Sequence, residues 1–172
     1  MPNWCENYVK ISGPTEKIKT LLNEMKETKT FLNVLCPSPE NMFHGLLGQE
    51  EIRECEAKGI PTWKDWQTEN WGTKWEVADE YIEQLVLKER EDGTASIQGS
   101  MLTAWAPPLD AMTTFFNNNK DCSVEVTYVE EMMHYAGYYK DGRFVDTTEV
   151  YEDKMCVLSG LKSIEDTSPV FQ

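Results

Sequence analysis

Residues 4–12 read W-C-E-N-Y-V-K-I-S, and this stretch decides the fold because it predicts a strand that leads into a helix. Side chains alternate between the two faces of a strand. One face therefore carries Cys5, Asn7, Val9 and Ile11, and the opposite face carries the residues between them. The apolar face is expected to look into the core.

Gly13 and Pro14 end this strand and open a helix, because proline is favoured in the first helical turn, where its missing N–H removes no hydrogen bond. The helix is predicted to end near Thr28. Within this helix, four apolar residues have the spacing of one helical face, namely Ile18, Leu21, Leu22 and Met25.

The later segments repeat the pattern in the order strand–strand–helix–strand. Strands are predicted over 81–88, 94–105 and 123–129, with a hairpin turn at Asp92-Gly93 and a helix opened by Pro107-Pro108. Residues 76–87 could alternatively be helical, and the strand is the preferred interpretation. Together with the first strand and helix this is the ferredoxin-like α+β arrangement, an antiparallel sheet with two helices on one face. Those helices are expected to bury Ile18, Leu22, Leu109 and Phe116.

Two additions to this plan are predicted. Residues 133–139 and 143–151 flank a turn and form an extra C-terminal hairpin that extends the sheet. Residues 30–36 are expected to form a short strand or an extended entry to Pro-Ser-Pro. An irregular insertion follows over about residues 37–79, with a short helix predicted at 49–58. One domain is therefore expected over residues 1–152, followed by a tail at 153–172.

Charge and composition limit the function. The chain has 172 residues and a formal net charge of −14, from 30 acidic against 16 basic residues. Such a surface repels nucleic acid and anionic membranes and attracts basic patches on proteins. Five cysteines without a C-x-x-C pair indicate reduced thiols, and we find no signal peptide or apolar run of membrane-spanning length. We expect a cytoplasmic protein that binds neither membrane nor nucleic acid directly.

Four short blocks carry a resemblance to a known family. They are P-N-W-C-E-N at 2–7, N-W-G-T-K-W at 70–75, T-A-W-A-P-P at 103–108 and G-Y-Y-K-D-G at 137–142. In this order they resemble the YubB-like ferredoxin-fold domain family of bacteriophages and conjugative plasmids, over residues 2–13 and about 70–146. The resemblance implies a small cytoplasmic accessory protein in a host cell, and such proteins often bind and block host machinery.

The tryptophan blocks suggest a binding surface. Trp71, Trp75 and Trp105 stand among turn residues, beside Lys74 and Gly72. The rings could stack a nucleotide base while the lysine meets a phosphate, or they could close the open end of the core. The predicted ligand or partner surface comprises Trp4, Tyr8, Trp71, Lys74, Trp75, Trp105 and Arg143.

Carboxylates near the C-terminal strands suggest a second surface. If segment 123–129 pairs with segment 143–153, their acidic side chains form one negative ridge that could imitate nucleic acid. Alternatively they make an ordinary solvated edge that resists aggregation. The predicted acidic surface comprises Glu125, Glu130, Glu131, Asp146, Glu149, Glu152 and Asp153.

Catalytic and metal-binding motifs are missing from the sequence. His44 and His134 belong to no zinc or phosphodiesterase pattern, and no phosphate-binding glycine loop is present. We therefore predict a protein without enzymatic activity, cofactor or metal. It would inhibit a host or defence protein through its acidic and aromatic surface. The alternative is a small-ligand binder that sequesters a nucleotide signal in the tryptophan pocket.

Overall fold

The central strand and the helix after it form as the sequence predicts. The computed structural model describes residues 3–133 and 135–146, with side chains through residue 143. Strand β1 (Trp4–Pro14) runs directly into helix α1 (Thr15–Thr28). The later elements are α2 (Leu32–Leu35), α3 (Gln49–Lys58), α4 (Trp63–Trp71), α5 (Asp79–Glu83), β2 (Val86–Glu89), β3 (Thr94–Ala104), α6 (Leu109–Asn118), β4 (Ser123–Glu130), β5 (Tyr135–Lys140) and β6 (Arg143–Asp146).

The strands form one antiparallel sheet in the order β2-β3-β1-β4-β5-β6. The first four strands of that order, with α1 and α6, are the ferredoxin-like arrangement. The predicted α+β fold class is thus confirmed. The β5–β6 hairpin extends the sheet beyond β4, as expected.

The core lies between the sheet and helices α1 and α6. Val9 and Ile11 of β1 are buried together with Ile18 and Leu22 of α1. Leu109 and Phe116 of α6 are half-buried and pack against the same core. Fully burying an aliphatic side chain of this size stabilises a fold by about 1.5–3 kcal/mol, so the alternating pattern of β1 is a strong determinant.

Two predicted elements differ in the structure. Residues 32–35 form the short helix α2, not a strand. The predicted strand at 81–88 is divided into helix α5 and strand β2. Helix α5 has acidic Asp79 in its first turn, which suits a helix N-terminus, and it buries Ile82.

The insertion is more regular than expected. Its predicted helix α3 is confirmed, and α4 is an additional helix. Thr62 caps α4 by accepting a hydrogen bond from the Asp65 backbone N–H at 3.3 Å. Gly72 ends it with a φ of +80° and lies so close to α6 that an added Cβ would be 2.9 Å from an Asp110 carboxylate oxygen. Gly72 therefore lets the end of α4 lie against the start of α6.

One carboxylate joins the end of the insertion to helix α2. The Glu76 side chain accepts hydrogen bonds of 2.8–3.1 Å from the backbone N–H groups of Phe31, Leu32, Asn33 and Val77. Helix N-termini expose N–H groups that need an acceptor, and a carboxylate also complements the helix dipole. Glu76 supplies the acceptor and the negative charge for α2 from a position more than forty residues away in sequence.

We predict that Glu76→Gln lowers the free energy of unfolding by about 1–3 kcal/mol, because the amide NH₂ cannot accept the bonds that one carboxylate oxygen receives. Urea denaturation followed by circular dichroism measures this change. Glu83→Gln, at an exposed position, is the matched control and should change stability by less than about 0.5 kcal/mol. Equal stability of the two variants would show that the Glu76 cap is not needed.

Candidate functional site

Three tryptophans and one lysine meet at one end of the sheet. The ring centroids of Trp4 and Trp75 are 6.1 Å apart. The ammonium of Lys74 lies 4.7 Å from the Trp75 centroid and 4.9 Å from that of Trp105. Exposed fractions are 45% for Trp4, 36% for Trp75 and 45% for Trp105. We call these four residues the aromatic cluster.

Strand register and one hydrogen bond bring the aromatic cluster together. Trp4 begins β1 and pairs with Ala104, the last residue of β3, so that Trp105 follows beside it. The Thr73 hydroxyl donates to the Ala104 carbonyl at 2.8 Å, and this bond fixes the segment that carries Lys74 and Trp75. Residues distant in sequence therefore meet because β1 and β3 are antiparallel.

Trp105 has an unusual backbone. Its φ is +74°, in the left-handed region that residues with a Cβ rarely adopt. Its N–H donates to the Asn3 carbonyl at 2.8 Å, and its carbonyl accepts from the Tyr135 hydroxyl at 2.6 Å. These bonds hold a conformation that is unfavourable by about 1–2 kcal/mol for an L-residue.

Trp71 does not belong to this surface, which corrects its predicted role. It is 3% exposed, and its indole N–H donates to the Cys36 carbonyl at 2.8 Å. Trp66 meets it edge-on with centroids 5.7 Å apart. The buried indole is saturated by these contacts, so Trp71 anchors α4 to the core and cannot stack a ligand.

Arg143 also lies outside the aromatic cluster. It pairs with Lys140, which pairs with Glu125, which in turn pairs with Lys10 of β1. Arg143 is thus level with Lys10, six residues along β1 from Trp4, or about 20 Å at the rise of a strand. The prediction that Arg143 belongs to one surface with the tryptophans is wrong.

Tyr8 shares a face with Trp4 but not its immediate surroundings. It lies four residues further along β1, about 13 Å away, and is half-buried. The structure therefore places it beside the aromatic cluster and not within it.

The predicted acidic ridge is wrong for two of its members. Glu130 is fully buried, and its carboxylate accepts the backbone N–H groups of Met132 and Met133. Glu125 is also buried, where it accepts the Tyr138 hydroxyl at 3.0 Å. The ammonium groups of Lys140 and Lys10 lie 3.4 and 4.0 Å from it. Burial and the Glu125 carboxylate raise the pKa of Tyr138.

The pairing on which that ridge depended is not found for residues 143–146, the part of the second segment that the structure describes. Strand β5 lies between β4 and β6, since the three strands follow one another as a meander. Of the remaining predicted carboxylates, Glu131 is exposed. Asp146 belongs to β6 without a described side chain. Glu149, Glu152 and Asp153 lie outside the described residues.

A groove beside the aromatic cluster carries acidic and apolar side chains that the tryptophan pattern does not reveal. It encloses about 520 Å³ between Trp4, Leu102 and Met132, with the carboxylates of Glu6 and Glu131 also lining it. Exposed fractions are 72% for Met132 and 68% for the adjacent Met133. In the sequence, the feature that indicates this groove is the pair Met132-Met133, which lies in a turn where no core position is expected.

No activated nucleophile or metal site stands out within the described ranges. Burial raises the pKa of the Cys5, Cys36 and Cys122 thiols, which disfavours the reactive thiolate. Across residues 3–133 and 135–146, no three His, Cys, Asp or Glu side chains are grouped to hold a metal ion. None of the helices in these ranges is long and apolar enough to cross a membrane.

We predict opposite consequences for the two tryptophan environments. Trp71→Ala should lower the free energy of unfolding by about 3–5 kcal/mol, because it leaves a cavity and an unpaired Cys36 carbonyl. Trp105→Ala should lower it by no more than about 1 kcal/mol, chiefly through the lost contact with the Lys74 ammonium. Thermal and urea denaturation test both, and similar losses in the two variants would contradict the assignment of Trp105 to the surface.

Backbone strain at Trp105 is tested separately. Trp105→Gly should be as stable as Trp105→Ala or more stable, by up to about 1 kcal/mol in the free energy of unfolding. Glycine adopts a positive φ without strain, whereas alanine does not. At exposed Val86, in a strand with ordinary backbone, the order should reverse and Val86→Ala should be the more stable. The same order at both positions would show that the Trp105 backbone is not strained.

Comparisons with known proteins show one distant structural likeness. No protein-family model matches the chain, and no curated protein matches it. A solved structure that is similar is the crystal structure of a protein api92 from Yersinia pseudotuberculosis, of family-model DUF1281. It is 10% identical, the match covers 81% of this chain and 94% of that chain, and the TM-score is 0.44. This is a remote neighbour of the chain, and it carries no conclusion about function.

Proposed function

We propose that the chain is a binding protein without enzymatic activity, encoded by a phage or mobile element. It would inhibit a host or defence protein through the aromatic cluster and the carboxylates beside it. The observation that carries the proposal is Trp105, a large side chain held half-exposed on a left-handed backbone. Strain of this kind in a native protein is concentrated at functional sites. A residue kept there at a loss of stability, and not used by the core, is best explained by what its side chain binds.

The surface around Trp105 has the composition of a protein-binding site. Trp4, Trp75 and Trp105 are partly exposed at the same end of the sheet where Met132 and Met133 are largely exposed. Tryptophans dominate the energetics of protein interfaces, and methionines adapt to irregular partner surfaces. Exposed apolar side chains grouped in this way mark interaction sites more often than single ones.

Charge favours a basic partner. Glu6 and Glu131 line the groove beside Trp4, and the whole chain carries a net charge of −14. Complementary charge speeds encounter and discriminates against wrong partners. A protein that normally holds nucleic acid has the basic surface that these carboxylates would meet.

The nucleotide-sequestering alternative is less well supported. The Lys74 ammonium already lies within 4.9 Å of both the Trp75 and Trp105 rings, so it fills the space in which a base would stack between them. A phosphate in the adjacent groove would face Glu6 and Glu131. Resemblance to the YubB-like family agrees with a phage or plasmid protein that acts in the host cytoplasm, and it does not favour a nucleotide.

Site-specific photocrosslinking tests the proposal. A photoreactive amino acid at position 132 should capture a protein from a bacterial host extract, and one at position 46 should not, although Leu46 is 93% exposed. Trp105→Ala and Glu131→Lys should each weaken that capture about tenfold or more, since central interface residues contribute more than 1–2 kcal/mol. Equal capture from positions 132 and 46 would refute the proposal.

A parallel titration addresses the alternative. Tryptophan fluorescence is followed while mono-, di- and cyclic nucleotides are added, with Lys74→Ala as the matched variant. We expect no saturable change. A saturable change that folded Lys74→Ala loses would replace the inhibitor proposal with nucleotide binding.

A further inference from the structure

Strand β3 is longer than the strand that covers its outer side. It pairs with β1 along its whole length, from Thr94 to Ala104, whereas β2 pairs only with residues 95–98. Beyond Gln98 the strand is paired with another strand on one side only, within the described residues. Unpaired strand edges are places where another chain can add a strand.

The hydrogen-bond pattern shows which groups this edge offers. Trp105 donates to the Asn3 carbonyl and Thr15 donates to the Gly93 carbonyl, so odd-numbered residues of β3 direct their backbone groups toward β1. Ser100 and Leu102 therefore direct their N–H and C=O groups away from β1. No hydrogen bond reaches those outward groups from any residue that the structure describes.

Both ends of this edge are closed. At one end the Ala104 carbonyl already accepts the Thr73 hydroxyl. At the other, Leu85 lies against Gly99, where an added Cβ would be 3.0 Å from the leucine Cδ2. The open edge is thus short and defined, and Ser100, next to its Gly99 end, is exposed.

A groove of about 250 Å³ includes Ser100 and Leu102 of the open edge in its lining. Tyr81 and Leu102 supply apolar surface and Glu6 supplies an exposed carboxylate, beside Ser100. Tyr81 and Glu6 line the same groove, and burial, followed by the carboxylates of Glu80 and Glu6, raises the pKa of Tyr81. No lysine or arginine is among the described lining residues.

We propose that the open edge at Ser100 and Leu102 takes an extended segment of a partner protein as an added strand, with a lysine or arginine of that segment beside Glu6. This inference rests on the proposed function, since Glu6 and Leu102 line both this groove and the one beside Trp4. The partner is thereby held by backbone hydrogen bonds at the edge and by apolar contacts at the aromatic cluster.

A second copy of the chain fits the edge less well. Two copies paired there would bring two Glu6 carboxylates into one interface, and each copy carries a net charge of −14. Like charges across an added strand oppose pairing. A basic segment meets the same groove with complementary charge.

The test uses two blocked pentapeptide probes, Thr-Val-Lys-Val-Thr and Thr-Val-Glu-Val-Thr, added to the ¹⁵N-labelled protein and followed by NMR. With the lysine peptide at concentrations on the order of 1 mM, the amide signals of Ser100 and Leu102 should shift and saturate. The glutamate peptide should bind at least about threefold more weakly because of Glu6. Unchanged Ser100 and Leu102 amides, or equal binding of both peptides, would overturn the inference.

Ser100→Pro removes one outward N–H and leaves every bond to β1, so it should abolish the lysine-peptide response in a folded protein. Ser100→Ala retains the N–H and is the control. Should the proline variant unfold, Glu6→Lys keeps the inference testable, because it should reverse the preference between the two peptides. Shifts of the same amides with protein concentration alone would show that a second copy occupies the edge, and would overturn the inference.

Failure of this inference and failure of the proposed function are distinguishable. Trp105→Ala should weaken crosslinking from position 132 while leaving the lysine-peptide shifts at Ser100 and Leu102 intact. Crosslinking without any edge response refutes only the added strand. An edge response without crosslinking refutes only the role of the aromatic cluster.

Discussion

The antiparallel register between β1 and β3 is the constraint on which the rest of the structure depends. It runs without interruption from Trp4 opposite Ala104 to Pro14 opposite Thr94. A slip of one residue would turn every side chain of β1 to the opposite face, so that Val9 and Ile11 would leave the core. The same register sets Trp4 beside Trp105 and determines which backbone groups of β3 face outward. Core, aromatic cluster and open edge are therefore consequences of one pairing.

The insertion is fastened to this frame at three points. Trp71 is buried and bonded to the Cys36 carbonyl, Thr73 is bonded to the end of β3, and Glu76 caps α2. Between these fixed positions the chain presents Lys74 and Trp75 to solvent. This segment has little periodicity, but its anchored residues alternate with side chains that reach the surface. The anchors therefore hold Lys74 and Trp75 in a defined place.

Strain and exposure coincide at Trp105. A hydrogen bond from the Tyr135 hydroxyl to its carbonyl and one from its N–H to the Asn3 carbonyl hold its positive φ, and both partners belong to strands or strand ends of the same sheet. The surrounding fold thus maintains a conformation that the residue itself disfavours. The Lys74 ammonium lies over the Trp75 and Trp105 rings, and Glu6 and Glu131 line the groove beside Trp4, so this apolar surface meets a lysine on one side and carboxylates on the other. That combination distinguishes this end of the sheet from the remainder of an acidic surface.

Local pattern by itself determined β1, α1, α6, the Asp92-Gly93 turn and the ferredoxin-like order, because strand alternation and helical spacing are properties of neighbouring residues. It missed α2, where the distant carboxylate of Glu76 caps the helix, and it misread the segment before β2, which forms α5. For the site, it identified Trp4, Lys74, Trp75 and Trp105. It also included Trp71, Arg143, Glu125 and Glu130, which lie in the core, at a distant register position or in buried hydrogen-bond networks. Periodicity reports which side chains share a face, but only the assembled sheet decides which faces are buried and which edges remain open.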